Sequence, residues 1–284
     1  MFPRFNRLSN QELDELFSQE VFGPNAHLQK VFPDAHLFKN EAGHIAGMES
    51  NEGEKLEFDA PIEGKLDTVA QKVLVAMQGA VRREIGNMVD AIDTADSYLS
   101  WAAKGKINQA TIVADSVGFA IYTEAAIATG DLKALAEKVS KKLFQLVHMA
   151  QDQSLEKLQR NLVNTLIVRT MYQQNVVDKL IKEEVTSTES ASWTNVLRHY
   201  MDDGVKVRCG DKELEYGYEY VGSGQMLVIT QLSEDCFLHH IKNFCEGRGV
   251  AAYGPAGTGK TETIKDCAKL IGVPCFVVNE AGDL

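Results

Sequence analysis

At 284 residues, with 44% hydrophobic and 24% charged side chains, the chain is long enough to bury one large core or two ordinary ones. A net charge of −11 argues against nucleic acid as a partner, because phosphate neutralisation takes clustered Lys and Arg. No run approaches about 18 consecutive apolar residues, which predicts no membrane span, and Met1-Phe2-Pro3-Arg4-Phe5 lacks the apolar core and cleavage site of a signal peptide. These features predict a cytosolic protein.

Ser9-Asn10-Gln11-Glu12 reads as a capping box opening a helix with Leu13, Leu16 and Phe17 on its apolar side, ended by Gly23-Pro24. From His44 to Ile62 the pattern changes: Ile45, Met48, Leu56 and Phe58 flank the turn Ser50-Asn51-Glu52-Gly53, as in a hairpin or small sheet. Thr68 and Gln71 suit a second capping box. After them Val69, Val73, Met77, Val81, Ile85, Met88 and Ile92 form one stripe at steps of three and four. Further helices are expected over 115–128, from Gly130-Asp131 (Leu132, Leu135, Val139, Leu143, Leu146, Val147) and from Ser154 (Leu155, Leu158, Leu162, Leu166, Val177, Leu180, Ile181). Such stripes are helix-packing surfaces and predict an elongated bundle.

A polar loop, Thr186–Ser190, precedes a short helix carrying Trp193, Val196, Leu197 and Tyr200 on one side. Val205, Val207 and Cys209 then alternate with Lys206 and Arg208 before the Gly210-Asp211 turn, and Met226 to Thr230 is strand-like. The five cysteines, Cys209, Cys236, Cys245, Cys267 and Cys275, have no C-x-x-C or zinc spacing and read as reduced thiols. Adjacent His239 and His240 on a helix point about 100° apart and do not share a metal.

The stretch that carries chemistry is Gly254-Pro255-Ala256-Gly257-Thr258-Gly259-Lys260-Thr261, which fits G-x-x-x-x-G-K-[ST]. An apolar run, Gly249–Tyr253, precedes it as a candidate strand; a helical stretch, Thr261–Leu270, follows and is stopped by Gly272 and Pro274. Glycines let backbone N–H groups turn inward on a polyphosphate, and a helix N-terminus adds free donors and partial positive charge. Lys260 is placed to meet the β- and γ-phosphates and the Thr261 hydroxyl to ligate Mg²⁺. Glu280 and Asp283 follow the strand-like Phe276-Val277-Val278, but that spacing is that of the second strand of such a core, whereas the acidic pair that activates water belongs to the third.

Several stretches together resemble the dynein heavy chain family where its linker meets the first AAA+ module. They are Phe2-Pro3-Arg4-Phe5 with Leu8–Leu13, Ser50-Asn51-Glu52-Gly53-Glu54-Lys55, Tyr216-Gly217-Tyr218-Glu219-Tyr220, Leu227-Val228-Ile229-Thr230, and Gly254 to Thr263 with Lys265-Asp266 and Ala268-Lys269. Gln231 stands where the family has proline, the tryptophan usual near Val69 is missing, and Glu280–Leu284 diverges.

The resemblance implies a mainly α fold with small β elements (α+β). Residues 1–222 would be an elongated helical linker with hairpins near 44–62 and 205–220, and residues 223–284 the truncated start of a P-loop α/β AAA+ core. It further implies an ATP-driven, minus-end-directed microtubule motor that binds ATP and Mg²⁺. Leu227, Val228 and Ile229 would border the adenine, Gly254 to Lys260 with Thr261 and Glu262 would hold the phosphates, and Thr261 would ligate the metal. Implied partners are microtubules and the dynein intermediate, light-intermediate and light chains, with no nucleic acid or membrane, in the cytoplasmic cytoskeleton or the ciliary axoneme. An acidic pair, a sensor and an arginine finger are expected to be missing, so turnover by this chain is not expected. The alternative is a non-catalytic helical scaffold with a vestigial P-loop. An independent P-loop kinase is set aside because its catalytic half would be missing.

Overall fold

The computed structural model describes residues 2–18, 26–64, 66–223 and 226–278. Gly23-Pro24, Gly224 and the stretch 279–284 lie outside them.

The N-terminal part is a 3-10 turn, Pro3–Arg7, followed by α1 (Asn10–Phe17) and α2 (Ala26–Val31). The capping box forms as expected: the Ser9 hydroxyl accepts from the Glu12 amide, and the Glu12 carboxylate accepts from the Ser9 amide at 2.9 Å. Phe2, Phe5 and Phe32 then bury their rings together under the first sheet's edge.

The expected hairpin is a three-stranded antiparallel sheet of β1 (Ala35–Lys39), β2 (Ile45–Ser50) and β3 (Lys55–Ile62) in that order. In its β2–β3 turn Gly53 takes a φ of 91°, and the Ser50 hydroxyl accepts from the Glu52 and Glu54 amides.

Helix α3 (Leu66–Asp90) buries Val69, Val73, Met77, Val81, Ile85 and Met88, the stripe read from the sequence. It begins at Leu66, so Thr68 falls within its first turn and is not its cap. A short α4 (Tyr98–Ala102) leads to α5 (Asn108–Thr129), which starts seven residues before the expected 115. Helix α5 is apolar or small on every side because it is the central helix, packed against α3, α6 and α7. By length and composition it could cross a membrane, but 67% of its most apolar window is buried in the core.

Gly130, at φ 74°, ends α5 in a left-handed cap, and α6 (Leu132–Ala150) pairs along α7 (Lys157–Lys182). Helix α7 is opened by Glu156, whose box partner is Gln159; Ser154 instead bonds Asp152 in the preceding turn.

The helix expected around Trp193 to Tyr200 is only one turn, α8 (Ala191–Thr194). Arg198 to Met201 are instead strand β4, because β5 (Val205–Cys209) pairs with them in register, and β6 (Lys212–Glu215) completes a second antiparallel sheet. Two helices follow, α9 (Gln231–Cys245) and α10 (Lys260–Ile271).

The stretches 226–230, 250–253 and 276–278, read as strands, run as irregular chain. A strand needs neighbours for its amides and carbonyls, and among the described residues none lies beside these three. Their side chains stay largely open, with Val228 60%, Tyr253 93% and Val278 67% exposed. The main core nonetheless continues from the first sheet and α3 into Phe237 and Ile241 of α9 and Leu270 and Ile271 of α10.

Candidate nucleotide-binding site

The octet is a loop that opens a helix. Gly257 and Gly259 have φ of 76° and 79°, a region a side chain disfavours, and a methyl group at Gly257 would meet nothing within 4 Å. The turn at Gly257 therefore has no side chain against it. Gly259 is the N-cap of α10 and offers no side-chain cap, so the first amides of the helix are directed at the loop.

Within the loop, the Thr258 hydroxyl donates to the Pro255 carbonyl at 2.9 Å. The Lys260 ammonium folds over it, donating to the carbonyls of Gly254 at 2.9 Å and Pro255 at 2.5 Å. Thr261 and Glu262 are exposed, and Glu262 accepts from Lys265 at 2.8 Å. A bare-backbone turn, a cation at its centre and a hydroxyl at the helix's second position form a donor set suited to a magnesium-bound polyphosphate.

Leu227, Val228 and Ile229 line the same cavity of about 590 Å³ as Thr258, Gly259 and Lys260. Ile229 is buried at 7% exposure, whereas Leu227 and Val228 are about half open. Sequence reasoning missed what holds this wall: Asp266 of α10 accepts the Leu227 amide at 2.9 Å. Asp266 is nearly buried, and burial raises its pKa above the ordinary carboxyl value. A carboxylate six residues past the loop lysine, on the inward face of the helix, was the signal available.

The other end of α10 is held by the helical arm. A helix leaves its last carbonyls without internal partners, and here three of them accept from residues 199–219. His199 Nε2 donates to Leu270 O at 2.7 Å, the Gly217 amide to Ile271 O at 2.9 Å and the Glu219 amide to Gly272 O at 2.8 Å. Gln78 of α3 anchors the same segment by donating to the Gly217 carbonyl at 3.1 Å.

Three separate sequence stretches meet at this junction. Arg4 forms a two-pronged ion pair with Glu219, at 2.8 and 2.5 Å. Tyr220 donates its hydroxyl to Glu54 Oε2 at 2.8 Å, and Glu54 Oε1 accepts the Asn108 amide at 2.7 Å, capping α5 from another element. Burial raises the Glu54 pKa, partly opposed by these two bonds. Gln109 donates to Tyr216 Oη at 2.9 Å and accepts the Val221 amide at 3.1 Å.

A phosphate-type loop on a helix whose far end is gripped by a helical body defines a P-loop nucleotide-binding module joined to an arm. Residues 216–284 match a family model described as the hydrolytic ATP binding site of the dynein motor region, and residues 1–88 match dynein heavy chain, N-terminal region 2. Over 98% of its length the chain is 34% identical to dynein axonemal heavy chain 1 of Mus musculus and 32% identical to dynein axonemal heavy chain 6 of Homo sapiens. It is 30% identical, again over 98%, to the dynein beta chain of the flagellar outer arm of Chlamydomonas reinhardtii. It spans 7%, 8% and 6% of those three proteins. The chain belongs to the dynein heavy chain family, covering linker region and the start of an AAA+ hydrolytic module.

Proposed function

We propose that this chain binds Mg-ATP at the Gly254–Thr261 loop and passes the state of that site to the linker through α10. The observation that carries the reading is the double attachment of one 12-residue helix, with the loop and Asp266-held adenine wall at its start and the arm's three hydrogen bonds at its end. A helix of that length spans about 18 Å and moves as a unit. Ordering of the loop around phosphate is therefore felt at Gly217 and Glu219.

In this reading residues 1–222 are linker and 223–284 begin the ATP module. Lys260 neutralises phosphate, Thr261 ligates Mg²⁺, Glu262 stands beside the phosphates, and Leu227, Val228 and Ile229 border the adenine. Hydrolysis needs further groups that orient water and stabilise charge on the γ-phosphate; what the loop residues supply is binding. The relatives' names place them in the axoneme and flagellar outer arm. By kinship the proposed setting is the microtubule cytoskeleton, with dynein intermediate, light-intermediate and light chains as partners of the complete motor.

The second reading, a helical scaffold with a vestigial loop, has one observation in its favour: Lys260 bonds its own loop's carbonyls. Titration with a fluorescent ATP analogue separates the two. Magnesium-dependent, saturable binding that Lys260→Ala weakens at least about a hundredfold supports the first; no binding supports the second.

A further inference from the structure

A second cavity, of about 570 Å³, lies in the arm between the segment 92–98, α4, α5 and α6. Its walls are apolar, with Ile92, Trp101, Phe119, Leu135 and Val139 facing in, and Ala114 and Gly118 of α5 leave the space between them. A methyl at Gly118 would sit at contact distance, 3.4 Å, from Ile92 Cδ1. That volume lies within the usual range for small-molecule sites, and such sites combine apolar walls with a few convergent polar groups.

This cavity has such a floor. Lys142 donates to Asp115 Oδ1 at 2.5 Å and to Gln173 Oε1 at 3.0 Å; Gln173 donates to Asp115 Oδ2 at 2.8 Å, and Tyr98 donates to Asp115 Oδ1 at 3.0 Å. The side chains of Asp115 and Lys142 are 4% and 14% exposed. A buried ion pair adds little stability over apolar side chains of the same size, so its place at the base of an apolar cavity calls for another reason. Burial would raise the Asp115 pKa, but Lys142 and Arg169 outweigh it and hold the carboxyl below its ordinary value, while burial pushes the Lys142 ammonium down against the pull of Asp115.

The hydrogen-bond inventory fixes what the floor can take. Both Asp115 oxygens already accept, from Tyr98, Lys142 and Gln173. An ammonium has three donors, and Lys142 commits two of them. It also lies 4.5 Å from the centre of the Tyr98 ring. The remaining capacity is a donor, and Lys138, one turn back on α6, adds a cation at the rim, which Asp131 also lines.

We propose that this cavity binds a small monocarboxylate with an apolar or aromatic body, its carboxylate on Lys142 and its body against Trp101 and Phe119. The proposal is independent of the nucleotide reading.

The probe is 2-naphthoate added to the full 284-residue chain, followed through the two indole N–H signals by NMR. Trp101 lines the cavity and donates to Met88 O, whereas Trp193 bonds Glu124 and meets the cavity only through the far side of Phe119, 6.0 Å between ring centres, so the first signal reports directly and the second serves as the more distant reference. The expected result is a saturable shift of Trp101 larger than that of Trp193, with a Kd on the order of 0.1–1 mM for a ligand this size, weakened at least tenfold by Ala134→Phe. 2-Naphthylmethylammonium is expected to bind at least tenfold more weakly. Should Ala134→Phe fail to fold, Ala125→Phe, at an exposed rim position, serves the same purpose. No saturable shift, equal movement of both signals, equal binding of the cation, or binding unaffected by either block would overturn the proposal.

Discussion

The ring of Tyr216 lies against Gly272 so closely that a methyl group on the glycine would come within 2.4 Å of the ring's Cε1 and Cζ. Gly272 is the left-handed C-cap of the helix that follows the phosphate loop, and Tyr216 directly follows the arm's last strand. Reciprocally, a methyl on Gly217 would reach the Gly272 carbonyl at 2.5 Å. Neither backbone can retreat without breaking the bonds from Gly217 and Glu219. Gly272→Ala is therefore expected to lower stability by about 3 kcal/mol in denaturant unfolding. Gly247→Ala is the control, since Gly247 has a similar φ of 67° but open space around it; it should cost only about 1 kcal/mol.

His199 makes the junction sensitive to acid. Its Nε2 carries the proton donated to Leu270 O, and its Nδ1 has no partner among the described residues. Burial, with Arg169 nearby, lowers its pKa to about 4 from 6.5. A base with a depressed folded pKa contributes stability that is present in full above pH 6.5 and lost as pH falls through about 4. The span corresponds to at most about 3 kcal/mol. The stability of the native chain should thus fall more steeply from pH 6.5 to 4 than that of His199→Gln, even though the variant starts lower at pH 7.

Glu54 should behave as a structural acid. Glu54→Ala leaves the Asn108 amide buried without its acceptor and the Tyr220 hydroxyl with only the backbone carbonyl of position 54, at 3.1 Å, and is expected to cost about 1–3 kcal/mol. Glu54→Gln, which keeps an acceptor oxygen, should cost less than half as much. Equal losses in thermal denaturation would show that the side chain only fills space.

In the proposed reading, Asp266 acts on the Leu227–Ile229 side of the cavity. Asp266→Asn weakens the hold on the Leu227 amide without touching the loop, so ATP affinity should fall about three- to tenfold, the scale of one hydrogen bond. Affinity for inorganic triphosphate should be unchanged. A similar loss for both ligands would contradict the separate roles given to the wall and the loop.

What the sequence revealed followed the range of each interaction. The Ser9–Glu12 box, the α3 stripe and the octet are local patterns and appear where they were read. Helix α5 gave a weaker signal because its first half is buried nearly all round and so has no stripe, and its first seven residues passed unnoticed. The turn from α8 into β4 was hidden because Leu197 and Tyr200 fit a helix face as well as a strand, and the pairing of Arg198–Met201 with β5 decided it. Arg4 with Glu219, and Glu54 with Tyr220, are separated by 215 and 166 residues; each stretch was recognisable, but not that they touch. The stretch 226–230 has the composition of a strand and no neighbour to pair with.

Amide hydrogen exchange with and without Mg-ATP tests the transmission through α10 directly. The account predicts added protection in the loop at Gly257–Thr263 and also at Gly217 and Glu219, whose amides donate to the far end of α10, with both effects absent in Lys260→Ala. Protection at the loop with Gly217 and Glu219 unchanged would contradict it.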